Sequence, residues 1–265
     1  MLSYDDKGVC TPLGASSSAV TGLAGAGKSK SVWIIGLDDT LRRVSGGKLD
    51  SIALATTGQP RSVASSSSGH VLVATTAGVD VFTGEPPNKS HRPFNESITA
   101  VACSEDGKHF AVGREDSKVL LCSLDASAGQ LKEEAKLESG RSTITALAFS
   151  PDSKYLAAGE SNGKINVYDV QEGKIKFSQW VFHTARINAI QFSPEGTQAV
   201  SASLDTNVYV WSTTKPMKSI AIKNAFPGGA HGACWLDNDR IASAGADGTV
   251  KVVSLDLLPN ERLQN

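Results

Sequence analysis

No run of 18 consecutive apolar residues occurs in this 265-residue sequence, so an ordinary membrane-spanning helix is not expected. The first 30 residues lack an apolar stretch flanked by positive charge, which argues against a secretory signal and for a cytoplasmic or nuclear chain. Cysteine is scarce. Cys10, Cys103, Cys122 and Cys234 are too widely spaced to suggest a disulfide scaffold or a close metal-binding pair, and buried thiols in a reducing compartment are the plain reading. An excess of charge is missing too: 26 Lys and Arg against 27 Asp and Glu leave a formal charge of -1. That balance supplies no broad basic field for nucleic acid or an anionic membrane. Long helix-forming runs are also absent, whereas Gly, Ser, Ala and Thr abound. The composition leans towards an all-β fold with many turns, and 40% apolar residues suffice for a core.

What is present is a repeat. In INAIQFSPEGTQAVSASLDTNVYVWS, residues 187–212, three β-branched, apolar-rich segments (187–192, 198–203 and 207–211) are separated by the turns Ser193-Pro194-Glu195-Gly196 and Leu204-Asp205-Thr206. The second turn recurs with a short acidic or amide residue at Asp38, Asp116, Asn162, Asp205 and Asp247, and in degenerate form at Ala77-Gly78. Successive spacings are 39, 39, 46, 43 and 42 residues, the range of a four-stranded propeller blade. The first turn recurs at residues 104–107, 150–153 and 193–196, each preceded by alternating apolar residues (ITAVAC, ITALAF, INAIQF).

Six units follow, at about 19–58, 59–95, 97–140, 141–183, 184–226 and 227–256. The second is the poorest copy, because the prolines of EPPNKSHRP keep that segment out of a central strand. LKEEAKLE in the third fits either an outer strand or a helix. The sixth has three strands, and residues around Gly8 to Leu13 are expected to supply its fourth and remove the open edge. Residues 1–14 are thus a closing strand and extension, 15–256 the β-propeller, and 257–265 a tail.

Gly22 to Ser29 satisfy the GxxxxGK[ST] phosphate loop, but that motif needs a helix starting at Lys28-Ser29, and the next residues, KSVWIIG, are a strand. A hairpin is expected there. His183 leading into the fifth unit, Asp205 in its turn, Ser201 or Ser203 on its second strand and Trp211 on its third can form a buried hydrogen-bonded chain. The same residues mimic a Ser/His/Asp triad. Without a nucleophile elbow or oxyanion loop, a structural lock is the expectation, with no catalysis and no cofactor. Tyr168, Cys122 and Val253 replace Trp211 in other units, which are expected to rely on packing. His70 and His91 are placed in surface turns. The residues before the tight turns, Glu115, Ser161, Leu204 and Ala246, should stand at the same end of the blades as Arg141 and Arg186, and that face is the candidate partner site.

The Ser-Pro-Asp/Glu turns, Leu204-Asp205 and Val210-Trp211 resemble WD40 repeats. Residues 183–216 and 230–255, with Asp38-Asp39-Thr40-Leu41-Arg42 and Trp235-Leu236-Asp237, are similar to the actin-interacting protein 1 (WD-repeat protein 1) family. The resemblance implies a WD40 β-propeller of six recognisable blades of four antiparallel strands, where the family's complete propeller has seven. It also implies a fungal source, truncation ahead of the first unit, and a cytoplasmic monomer at the actin cytoskeleton and cortical actin patches. Its implied partners are actin filaments and cofilin, with filament disassembly as the outcome. A general WD40 scaffold with a non-actin partner is the alternative.

Overall fold

A computed structural model of the protein describes residues 2–4, 10–12, 18–25, 31–50, 53–84, 87–125, 129–138 and 140–257. The described residues are strands joined by turns, and no helix is long and apolar enough to cross a membrane. Strands β1 (Leu2–Tyr4) and β2 (Cys10–Pro12) pair antiparallel with each other. Six antiparallel blades follow, each laid down in chain order. The first holds β3 (Val20–Gly25), β4 (Ser31–Gly36), β5 (Thr40–Ser45) and two short strands on β5, β6 (Lys48–Leu49) and β7 (Leu54–Ala55). The second is β8 (Pro60–Ser65), β9 (Val71–Thr75), β10 (Gly78–Thr83) and β11 (Asn88–Pro93). The third is β12 (Ile98–Cys103), β13 (Phe110–Arg114), β14 (Lys118–Asp125) and β15 (Gln130–Glu138). The fourth is β16 (Ile144–Phe149), β17 (Tyr155–Glu160), β18 (Ile165–Asp169) and β19 (Lys174–Trp180). The fifth is β20 (Ile187–Phe192), β21 (Gln198–Ser203), β22 (Val208–Ser212) and β23 (Ser219–Ile222). The sixth is β24 (Ala230–Trp235), β25 (Arg240–Gly245) and β26 (Val250–Ser254), followed by a 3-10 turn at Leu255–Leu257.

Several expectations change in detail. Of the segment expected to close the sixth blade, the described part, Cys10–Pro12, pairs with β1, and the sixth blade has three strands among the described residues. The tail 258–265 lies outside them. The second unit is a full four-stranded blade: Asn88–Pro93 is a strand despite its prolines, because it is the outermost one, with Pro93 as its last residue and Pro87 before its first. LKEEAKLE is strand, not helix. In the phosphate-loop match, Gly22 to Gly25 belong to β3, and the next described element is its antiparallel partner β4; Lys28 and Ser29 lie outside the described residues.

The residues fall into two compact units, 1–110 with 123–132, and 111–122 with 133–265. In the first, Trp33, Ile35, Leu41, Val71, Val73 and Phe82 form one buried apolar cluster. In the second, one apolar cluster runs from Ile165, Val167 and Trp180 to Ile187 and Trp211, and another from Val200 and Val210 to Phe226 and Trp235. Strands β9, β17, β21 and β22 are buried along nearly their whole length, whereas the outer strand β19 is mostly exposed. Middle strands covered on both faces read as near-continuous small and apolar runs. Adjacent blades of the second unit approach through glycine. A Cβ on Gly113 would lie 2.5 Å from Ile144 Cγ2, and one on Gly159 would lie 2.7 Å from Ile187 Cγ2. Where β21 carries Ala202 instead, the residue opening the next blade is the smaller Ala230, in the same cluster.

Candidate functional site

Four side chains of the fifth blade form one chain of hydrogen bonds. Trp211 Nε1–H donates to Ser201 Oγ (2.7 Å), Ser201 Oγ meets His183 Nε2 (2.8 Å), and His183 Nδ1 meets Asp205 Oδ2 (2.8 Å). An indole can only donate, so Ser201 accepts from Trp211 and turns its own proton to His183 Nε2. The imidazole must then carry its proton on Nδ1 and donate it to Asp205. Asp205 also accepts the N–H groups of Thr184 and Asn207, which fixes the turn. Burial pushes the His183 pKa down, with Asp205 opposing. Burial acts to raise the Asp205 pKa, but the Thr184 amide, His183 and the Asn207 amide together hold it below the usual carboxylate value. Ser203 stands outside this chain: its hydroxyl donates to Ala185 O and accepts Asp205 N–H. Ser201 and Trp211 have no exposed surface, so the serine in this triad-like arrangement offers no approach to a substrate.

Register identifies what fills the same place elsewhere. Ile187 pairs with Ser203, Ile144 with Glu160 and Ala230 with Gly245, which makes Gly140 and Phe226 the counterparts of His183. In the fourth blade, expected to rely more on packing than on a polar network, the missing imidazole is replaced by the buried Glu160 carboxylate. It accepts Gly140 N–H (3.0 Å) and Asn166 Nδ2–H (2.8 Å). Burial raises the Glu160 pKa against the pull of the Gly140 amide and Lys164. In the sixth blade Phe226 lies over Gly245, where a Cβ would be 2.2 Å from its ring, and Lys251 Nζ sits 4.8 Å from the Phe226 centroid. The second blade has a lock that sequence reasoning missed. Buried Asp80 accepts Thr57 N–H (2.7 Å) and Oγ1–H (2.6 Å) and pairs with His91 Nδ1 (2.7 Å), so His91 is a half-buried strand residue, not a surface turn residue. The only sequence signal for it was the Asp80/His91 pair itself. Among the described residues no group of three His, Cys, Asp or Glu is placed to hold a metal.

The candidate partner residues of the second unit occupy equivalent places. Ser161 N–H donates to Thr143 O (2.9 Å), Leu204 N–H to Arg186 O (3.0 Å) and Ala246 N–H to Gly229 O (3.0 Å), so each tight turn is tied to the segment leading into its blade. Thr143 Oγ1 donates to Glu115 O (3.2 Å), joining the turn of the third blade to the same rank. Glu115, Arg141, Ser161, Arg186, Leu204 and Ala246 are all exposed. Beside Arg141 lies a cavity of about 370 Å³, lined also by Gly140, Glu160, Asn162 and Lys164, which the sequence did not announce.

Residues 95–263 match the family described as the Vps8 beta-propeller. The chain belongs to this β-propeller family. Its homologues include the "66 kDa stress protein" of Physarum polycephalum, 36% identical over 93% of this chain and 41% of that protein. They also include the "Actin-interacting protein 1" of Drosophila melanogaster, 30% identical over 83% of the chain and 36% of the relative. The "WD repeat-containing protein 1" of Gallus gallus is 27% identical over 83% and 36%. The chain therefore spans well under half the length of these relatives.

Proposed function

We propose that this chain is a non-catalytic binding scaffold that attaches to actin filaments and acts with cofilin in their disassembly. The observation that carries the actin reading is the homology to proteins named actin-interacting protein 1, which extends over 83% of the chain. The contact surface in this reading is the rank of exposed turns in the second unit, with Arg141 and Arg186 as charged anchors and Leu204, 41% exposed, as the apolar one. The turns suit the task because their backbone hydrogen bonds hold the rank before a partner arrives, which lowers the ordering cost of binding. The protein works as a monomer in the cytoplasm, with neither membrane nor nucleic acid as a partner. Cosedimentation with filamentous actin tests this reading. The chain is expected to pellet at roughly tens of micromolar actin, and more completely with cofilin present. Arg141→Glu with Arg186→Glu and Leu204→Ser should weaken pelleting about tenfold without changing thermal stability. A chain that stays in the supernatant with and without cofilin excludes the actin reading. The β-propeller family match would then favour a scaffold for another protein partner.

A further inference from the structure

The cavity beside Arg141 has a structural origin. In the fifth and sixth blades His183 and Phe226 fill the place next to the tight turn, and the fourth blade carries Gly140 there. A Cβ on Gly140 would lie 2.4 Å from both carboxylate oxygens of Glu160, so no larger residue fits while Glu160 holds its position. Glu160 has no exposed surface and accepts Gly140 N–H (3.0 Å), which ties down the backbone directly before Arg141. The result is a recess of about 370 Å³ with the buried Glu160 at its floor and Arg141, Asn162 and Lys164 around it.

Charge distinguishes this recess. The tight turns of the third, fifth and sixth blades carry Asp116, Asp205 and Asp247, whereas that of the fourth carries the neutral Asn162. In the third blade the lysine two residues after the turn carboxylate, Lys118, has its Nζ 3.7 Å from Asp116. Lys164 holds the same place in the fourth blade, where Asn162 Oδ1 accepts its backbone N–H (3.0 Å) but gives its ammonium no counter-ion. Among the described residues neither the Lys164 nor the Arg141 side chain makes an ion pair. Glu160 counts against these two cations, while Glu115 of the neighbouring turn does not line the recess. Even a fully ionised Glu160 offsets one cation, and one unit of positive charge remains. A single carboxylate neutralises that charge and matches the planar fork of Arg141, whereas a phosphate dianion would leave the recess negative above a buried acid.

We propose that this recess receives one carboxylate of the partner that binds the rank of turns, an Asp or Glu side chain held between Arg141 and Lys164. The inference rests on the reading of that rank as the partner face and names the chemistry the face recognises. Glu160 is the positioning residue of the site: it fixes the backbone that presents Arg141, and its own charge limits the recess to a monoanion.

The test is a nitrogen-15 NMR titration of the whole 265-residue chain with doubly capped glutamate, a monoanionic probe, at constant ionic strength. The Gly140 amide and Arg141 Nε–H signals are expected to shift saturably, with a dissociation constant on the order of 10 mM, while Arg186 Nε–H responds weakly and without saturation. Lys164→Gln should weaken this binding about tenfold, and Glu160→Gln, which keeps the shape and removes the opposing charge, should tighten it about threefold. No saturation up to about 100 mM overturns the proposal, as does an equal response of Arg186 or tighter binding of doubly capped phosphoserine. These readings need no variant, so they stand even if a substitution disturbs folding. Cosedimentation with filamentous actin separates the two readings. Wild-type chain that pellets no better than its Lys164→Gln variant overturns the carboxylate site and leaves the actin reading intact. Wild-type chain that binds capped glutamate but never pellets supports the site and ends the actin reading.

Discussion

His183 can serve Ser201 and Asp205 together only while it is neutral. A proton on Nε2 would set two donors, that imidazole and Trp211, against Ser201 Oγ and strand the serine's own hydrogen. The folded state therefore binds the His183 proton less readily than the unfolded chain does. Its contribution to stability is present above the ordinary histidine pKa and is lost as pH falls through about 6.5 towards the lower folded value. Denaturant melts of wild type and His183→Gln between about pH 8 and pH 5 should show the steeper acid loss in wild type, and equal slopes would remove the neutral-histidine lock. Asp205→Ala should lower stability by roughly 1–3 kcal/mol at neutral pH, because it leaves His183 Nδ1–H and the Thr184 and Asn207 amides without their acceptor. A change of a few tenths would show that the chain is not what fixes the turn. Glu160 runs the other way. Its folded pKa is raised, so its contribution is present below the unfolded value and is lost as pH rises through the folded one. Glu160→Gln keeps the shape without the charge, and at about pH 8 it should match or exceed wild type by roughly 1 kcal/mol, where Glu160→Ala should fall below it.

At Gly113 and Gly159 a blade is held to its neighbour by backbone proximity that only glycine permits. Gly159→Ala would press a Cβ on Ile187 Cγ2, on Ile187 Cβ at 2.8 Å and on Ile190 Cδ1 at 2.9 Å, a cost of roughly 1–3 kcal/mol. Ile187→Ala in the same chain should recover part of that loss, and strict additivity of the two changes in urea melts would show that the contact does not couple the blades. None of this was visible in the strand pattern, although the strands themselves were. The segments 187–192 and 198–203 could be placed to the residue because β-branched runs end at Pro, Gly and Asp turns. The chain from Asp205 to Trp211 was legible for a similar reason, since its members fall at fixed offsets from a turn. Glu160 was not, because a carboxylate doing the work of an imidazole is recognisable only once Ile144 is seen opposite it and Gly140 beside it. His91 was misplaced because prolines nearby suggested a loop, whereas an outermost strand can accommodate them at its ends. The outer edge of the first blade is made of two short strands, β6 and β7, which pair separately with β5, with Asp50, a turn former, directly after β6.

At the scale of the molecule the decisive number is a formal charge of -1. With so little net charge, long-range attraction of a large partner can come only from local charge patches, and otherwise the partner is gripped by short-range features after encounter. For the proposed actin contact this separates two mechanisms that equilibrium pelleting cannot. If Arg141 and Arg186 act as short-range anchors, association should proceed at an unsteered rate of about 10⁵–10⁶ M⁻¹s⁻¹ and vary little with salt. Reversing their charge should then appear mainly as faster dissociation. Stopped-flow mixing of labelled chain with filaments at low and physiological ionic strength reads both rates. An association rate that climbs steeply as salt is removed, and collapses on reversal of the two arginines, would mean that the rank of turns works as an electrostatic guide, and the apolar role assigned to Leu204 would have to be given up.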